Sequence, residues 1–353
     1  MTTEERDADA SPRRRRAPRQ ADVARLAGVS QSAVSRVLGG EVEAARISEE
    51  TRQRVLAAVK ELGYVPNPSA RRLRNKRNQL LGVHTFEPVF PHAREGFYFE
   101  FLLGIEERAE ELGYDIVLFT STGAGDGRRR VYRDGTNRLN LADGSVLLGV
   151  STDKEDLARL WNDGYPFVHI GRREVPGADI PCIVPDYAGV TAEMVHMLVS
   201  QGHRHFAYLR ADIDIEPFAD RRRGYAEAVE RYNLLDRSPG FQGESDLTED
   251  WLDELANGPE TAVVAESSGL AESLRKGLAA RGSHVPEDVS VVVLDGNDPP
   301  DAPSWYTLGI PRKHIGRVAV DALVSLVGDP DQRGRSIVVP CSIVPGTTIA
   351  PAG

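Results

Sequence analysis

Apolar positions change their spacing along this chain near residue 80. Before it they recur at helical intervals. QADVARLA, residues 20–27, places Val23, Leu26 and Ala27 on one side of a short helix, and Gly28 suits a tight turn after it. Ser30 is a good N-cap for a second helix over roughly 31–38. At 3.6 residues per turn, Ala33, Val34, Val37 and Leu38 share one arc, and Gln31, Ser32, Ser35 and Arg36 share the other. Ser48 caps a third helix, Glu49 and Glu50 suit its dipole, Val55, Leu56, Val59 and Leu62 form its stripe, and Gly63 ends it. Helix, short turn, helix with a polar outer face, then a supporting helix is helix-turn-helix organisation. In it the second helix enters the major groove. Arg36 has the fork that pairs with guanine, and Gln31 has the amide that reads adenine. An ordinary three-helix bundle with a solvated face is the competing reading.

From Leu80 the apolar runs become short and continuous: LLGVHTF, YDIVLFT, GSVLLGV, PFVHIG, HFAYLR, TAVVAE and VSVVVLD. Helical stretches such as FEFLLGIEERAEELG separate them. This alternation predicts parallel sheets covered by helices, with ligands bound beyond the carboxyl ends of strands. Several residues stand at such ends. Arg172 and Arg173 follow FVHIG, Asp186 follows IPCIVP, and Asp295 follows VSVVVL. Arg221 lies at a predicted helix start, and Phe97 and Tyr98 open the first helix of this region. Aromatic faces with Asp and Arg suit a polyhydroxylated ring, the face stacking while the forked groups hold hydroxyl pairs. Each also has a plainer reading: a helix cap, a solvated arginine, a core aromatic.

Charge divides the chain at the same place. Residues 1–77 carry 17 Lys and Arg against 10 Asp and Glu, whereas the remainder carries 26 against 43. A basic head on an acidic body points to a nucleic-acid module joined to another domain. Between them, YVPNPSARRLRNKRNQ is dense in proline and arginine, with Leu73 a lone apolar residue among cations. Apolar wedges of that kind enter base steps in the minor groove of bent DNA. The sequence predicts no membrane span, no secretory signal, and no disulfide framework or zinc cluster from Cys182 and Cys341, hence a cytoplasmic protein. TSTGAGDG lacks the full dinucleotide-loop spacing, GHRHF offers His203 and His205 without a third ligand, and neither a phosphate-binding loop nor a serine elbow is present. An enzyme, a metal site and a cofactor are therefore not predicted.

The run DVARLAGVSQSAVSRVL…ISEETRQRVLAAVKELGYVPNPSARRL resembles the LacI/GalR family of bacterial transcription regulators, and the similarity extends from about Gln20 to Pro345. The resemblance implies an all-α helix-turn-helix domain followed by an α/β body like a periplasmic binding protein, with two parallel-sheet subdomains and a ligand cleft between them. The domains would be a disordered basic arm (1–19), the DNA-binding domain (20–65), hinge helix and linker (66–79), and an effector-binding and dimerisation body (80–353). By resemblance Gln31, Ser32 and Arg36 read bases, with Ser35 on the same polar arc. Asn67, Ala70 and Leu73 belong to a hinge helix that orders on operator DNA, Leu73 being its lever. Phe97 or Tyr98, Asp186, Arg221 and Asp295 would contact the effector, with Arg172 added from its place at a strand end. The partners implied are near-palindromic double-stranded operator DNA, a sugar effector and a second copy of the chain. The sequence departs from the family pattern in the longer GGEVEAARIS between helices two and three, in Ser267-Ser268 after Glu266, in Glu95-Gly96, and in a longer loop over 88–96 that would lid the site. A solute-binding protein or sensor is the alternative, and a sugar-modifying enzyme a third.

Overall fold

The computed structural model describes residues 18–38, 47–64, 78–87, 98–120, 129–150, 152–210, 215–237, 247–295, 304–332 and 334–353. The chain divides into two compact units between Asn78 and Gln79.

The first unit contains α1 (Gln20–Ala27), α2 (Gln31–Leu38) and α3 (Glu49–Leu62). Gly28 takes φ 64°, the left-handed conformation that closes α1 and lets the chain reverse within a few residues. Ser30 Oγ accepts from Ala33 N at 3.2 Å, and Ser48 Oγ accepts from Thr51 N at 3.3 Å, so both predicted N-caps form. Val23, Ala24, Ala27, Val34, Val37, Val55 and Ala58 make the small core. Two inward assignments fail: Leu26 is 47% exposed and Leu56 is 39% exposed. Ala24 and Ala58 take their places, because Val23, Ala24 and Ala27 on α1, and Val55, Ala58 and Val59 on α3, form narrower stripes from which both leucines are rotated away.

The second unit runs β1 (Leu80–Thr85), α4 (Phe99–Glu111), β2 (Asp115–Phe119), a two-residue hairpin of β3 (Tyr132–Arg133) and β4 (Thr136–Asn137), then β5 (Gly144–Leu148), α5 (Lys154–Asn162), β6 (Phe167–Ile170) and β7 (Cys182–Pro185). It continues with α6 (Tyr187–Ser200), β8 (His205–Leu209), α7 (Glu216–Tyr232), β9 (Leu235–Arg237), α8 (Glu249–Ala256), β10 (Ala262–Ala265), α9 (Ser268–Ala279), β11 (Ser290–Val293), β12 (Tyr306–Gly309), α10 (Arg312–Gly328), β13 (Ile337–Val339) and β14 (Ser342–Val344).

These strands form two six-stranded sheets, β13-β7-β6-β5-β1-β2 and β14-β12-β11-β10-β8-β9. Within these two sheets the described pairs are parallel except β12 with β14. Strands β5, β10 and β11 are buried throughout, which is why they read as unbroken apolar runs. One apolar cluster runs through both subdomains by way of α4, α6 and α10, and a separate cluster backs each sheet on its other face. The chain crosses between subdomains three times: from β7 to α6, from β12 to α10, and from β13 to β14. Asp186 N donates to Val339 O at 2.9 Å, tying two of these crossings together.

Candidate functional site

In the first unit, the packing of Val34 and Val37 turns the opposite side of α2 outward. Gln31, Ser32 and Arg36 are exposed, and Ser35 is half-buried. Ser30 and Ser32 share a hydrogen bond at 2.8 Å, and Arg36 Nε reaches back to Ser32 O at 3.4 Å. The result is a short polar face with one guanidinium held along the helix, the composition that base edges and phosphates accept. Asn67, Ala70 and Leu73, the arm at 13–16 and the insertion over 39–46 lie outside the described residues.

In the body, parallel strands direct their carboxyl ends toward one cleft, as the topology requires. On the side of the first sheet, Glu87 follows β1. Tyr98 is buried as the N-cap residue of α4 and donates its hydroxyl to Glu87 Oε2 at 2.5 Å, while Val150 N donates to Glu87 Oε1 at 3.1 Å. Phe97 and the loop over 88–96 lie outside the described residues. His169, at the end of β6, is fully buried between Thr152 Oγ1 (3.2 Å from Nε2) and the carbonyl of Gly171 (2.9 Å from Nδ1). Burial, with Arg173 nearby, holds its pKa well below the ordinary value, so the ring is neutral and donates from Nδ1.

Arg172 and Arg173 come next. Arg173 is buried, donates from Nε to Thr152 Oγ1 at 3.1 Å and also to the Gly149 carbonyl, and pairs with Glu216 Oε2 at 3.6 Å. Arg172 forms a forked pair with Asp220, Nε to Oδ2 at 3.1 Å and Nη2 to Oδ1 at 3.0 Å. Both carboxylates belong to α7 on the opposite subdomain. They are four residues apart, so they share one helix face.

Arg221 also sits on α7. The helix starts at Glu216 with Pro217 in its first turn, so Arg221 is well inside it rather than at its start. Its guanidinium carbon lies 4.6 Å from the Tyr187 ring and 5.0 Å from the Phe218 ring. The residue is 5% exposed, and Nε has no hydrogen-bond partner among the described residues. Asp186 is the N-cap of α6 and accepts from Gly189 N at 2.9 Å. Cys341, at the third crossing, has its thiol pushed up to about 11, chiefly by burial and then by Asp186, with Arg221 opposing. Asp186 and Arg221 thus act on one point beside the crossings. Asp295, after β11, accepts from Ser268 N at 2.9 Å and Ser268 Oγ at 3.0 Å, at the N-terminus of α9. Fully buried Glu266 accepts from Tyr208 at 2.8 Å and pairs with Arg222 at 3.4 Å.

Through Asp220 the structure brings Arg172 beside Arg221 on α7, while Tyr98, Asp186 and Asp295 stand at other helix and strand ends of the body. Glu87, Glu216 and Asp220 escape sequence reasoning. The only signal for the last two is their spacing around Arg221, since the arginines they meet across the subdomains lie more than forty residues away. Beside the cross-cleft pairs a cavity of about 360 Å³ opens, with Thr152 and Arg173 on one wall and Ile215 and Ala219 on the other. That size accommodates a small polar ligand.

A helix-turn-helix unit joined to a two-sheet body with a charged cleft defines the class of ligand-responsive DNA-binding regulators. The chain belongs to the lacI family of bacterial regulatory proteins. Residues 21–67 match that family's model, and residues 195–349 match a periplasmic binding protein-like domain. It is 31% identical over 324 residues to the HTH-type transcriptional regulator CelR of Thermobifida fusca, covering 89% of this chain and 93% of that one. It is 28% identical over 312 residues to the catabolite control protein A of Priestia megaterium, covering 86% and 90%. Among solved structures, a lac repressor dimer bound to operator and an anti-inducer superposes with a TM-score of 0.66 at 25% identity, covering 95% of this chain and 100% of that one. A CelR–cellobiose complex superposes at 0.58 with 27% identity, covering 94% and 99%. The protein is a transcriptional regulator, as its relatives are, and not an enzyme. No helix among the described residues is long and apolar enough to cross a membrane.

Proposed function

We propose that the protein is a cytoplasmic repressor that binds a near-palindromic operator as a homodimer and changes its affinity when a sugar occupies the cleft. The observation that carries this reading is the pairing, in one chain, of an outward polar α2 face with a body in which Arg221, next to the Asp220 that pairs across the subdomains, is buried over aromatic rings with an unsatisfied Nε. A buried donor without a partner costs free energy that a ligand oxygen recovers. The operator-bound lac repressor dimer and the CelR–cellobiose complex support the same division of labour.

Gln31, Ser32, Ser35 and Arg36 read bases in this scheme. Asn67, Ala70 and Leu73 carry the hinge contacts, Leu73 as the minor-groove wedge. In the cleft, Arg221 and Asp295 hold hydroxyls, Tyr98 or Phe97 supplies an aromatic wall, and Arg172 and Asp186 complete the rim. A two-fold protein on a two-fold site doubles the contact set with one surface.

The test is to sequence genomic fragments retained by the purified protein at about 0.15 M salt, where phosphate-only binding is weakened. Enrichment of one near-palindrome supports the reading, and the adjoining genes nominate the sugar. No enrichment, with and without a panel of sugars, overturns it in favour of a solute sensor.

A further inference from the structure

We propose that Arg172 and Arg173 on one subdomain, with Glu216 and Asp220 on the other, form a latch built by the protein itself, which holds the cleft closed and sets the operator affinity that the effector then changes. This rests on the reading of the body as the controller of DNA binding.

The argument begins with where the charges are. Glu216 and Asp220 lie one turn apart on α7, so a single helix face presents two carboxylates across the cleft. Consecutive arginines after β6 meet them. The Arg172–Asp220 pair is a planar fork on a planar carboxylate, the strongest geometry available to two side chains. Lys154 Nζ adds a contact to Glu216 Oε1 at 3.5 Å, and the backbone N–H of Glu174 donates to the same oxygen at 3.2 Å. The side chains of Arg173 and Asp220 are each 4% exposed, so both are largely withdrawn from water.

Such pairs matter here because the equilibrium they bias is shallow. Effector coupling in regulators of this kind is about 1–3 kcal/mol, a factor of roughly 5–150. Asp220 also pairs with Arg223 Nη1 at 2.9 Å on its own helix, and Arg172 also pairs with neighbouring Glu174, so removing the fork leaves each group a partner within its own subdomain and takes away only the bond that crosses the cleft, which exists in the closed form alone. A substitution at Asp220 therefore penalises closure selectively.

The Glu174 amide reports the latch directly. Its side chain is exposed and its N–H is held by the opposite subdomain. Hydrogen exchange at Glu174 and operator Kd are to be measured on the full-length, effector-free protein for wild type, Asp220→Asn, Arg172→Gln and the double variant. Asp220→Asn is distant in sequence from the reporter and keeps the helix intact. We expect it to accelerate exchange at Glu174 at least 10-fold and to shift operator Kd at least 5-fold, and the double variant to match the single ones rather than multiply them. Exchange within 2-fold of wild type, or multiplicative single effects, overturns the latch. Faster exchange with an unchanged Kd overturns its coupling to DNA. A wild-type protein that binds no operator strikes the functional reading instead, and the exchange arm still decides the latch.

Discussion

His84, the penultimate residue of β1, has its ring in the interior, edge-on to Phe86 at 4.8 Å between centroids. Burial, with Arg138 and Arg129 adding to it, pushes its pKa from 6.5 down to about 4. A group that binds its proton more readily when unfolded lends stability above the unfolded value and withdraws it as the pH falls from about 6.5 toward 4. The melting temperature should therefore drop across that window, and His84→Leu should flatten the drop by about one proton taken up on unfolding, read by calorimetry between pH 7 and 4.5. An unchanged slope would place the proton elsewhere. On α2, Arg36→Ala should cost about 1–3 kcal/mol on operator DNA and relax one base position. Equal losses on random DNA would contradict base reading. The polar arc of α2 was legible from periodicity, because one face of a three-helix unit must be wet. Leu26 and Leu56 were misplaced because the same period does not say how wide the buried stripe is. Asp220 was not legible as Arg172's partner, because only the folded chain brings residues that far apart together.

At the scale of elements, α4 and α10 approach so closely that their backbones meet. A Cβ placed on Gly104 would stand 1.9 Å from Lys313 O, and one on Gly316 would stand 2.3 Å from Phe101 O. Neither obstacle is a flexible side-chain end, so Gly104→Ala should force the helices apart at a cost of about 1–3 kcal/mol. In a body of this size that is a fall in melting temperature of roughly 2–10 °C, measurable by circular dichroism. No loss would mean that the helices slide freely. The amphipathic pattern of 99–111 predicted α4, and the apolar runs predicted the parallel strands. The short edge strands β9, β13 and β14 carried no such pattern: they are mostly exposed and are defined by the strand they join.

At the scale of the whole molecule, effector binding should appear as stabilisation of the body. A sugar at about a hundred times its Kd contributes about 2.7 kcal/mol, a rise of roughly 5–10 °C in the body's transition. Arg221→Ala should weaken that sugar's binding about 10- to 100-fold while leaving the operator-binding unit folded. A full thermal shift in this variant would remove Arg221 from the site. Two-subdomain architecture was readable only through family resemblance, because alternating strands and helices fit one long sheet as well as two. What splits them is the triple crossing. That threading also governs the order in which the protein can be built on a ribosome. The first sheet lacks its β13 edge and its α10 cover until residue 339 has emerged, whereas the DNA-reading unit is ready after about sixty-five residues. During synthesis each chain therefore displays a finished helix-turn-helix head on an unfinished, sticky body, so exposure to aggregation is concentrated in the interval between the emergence of the head and that of residue 339.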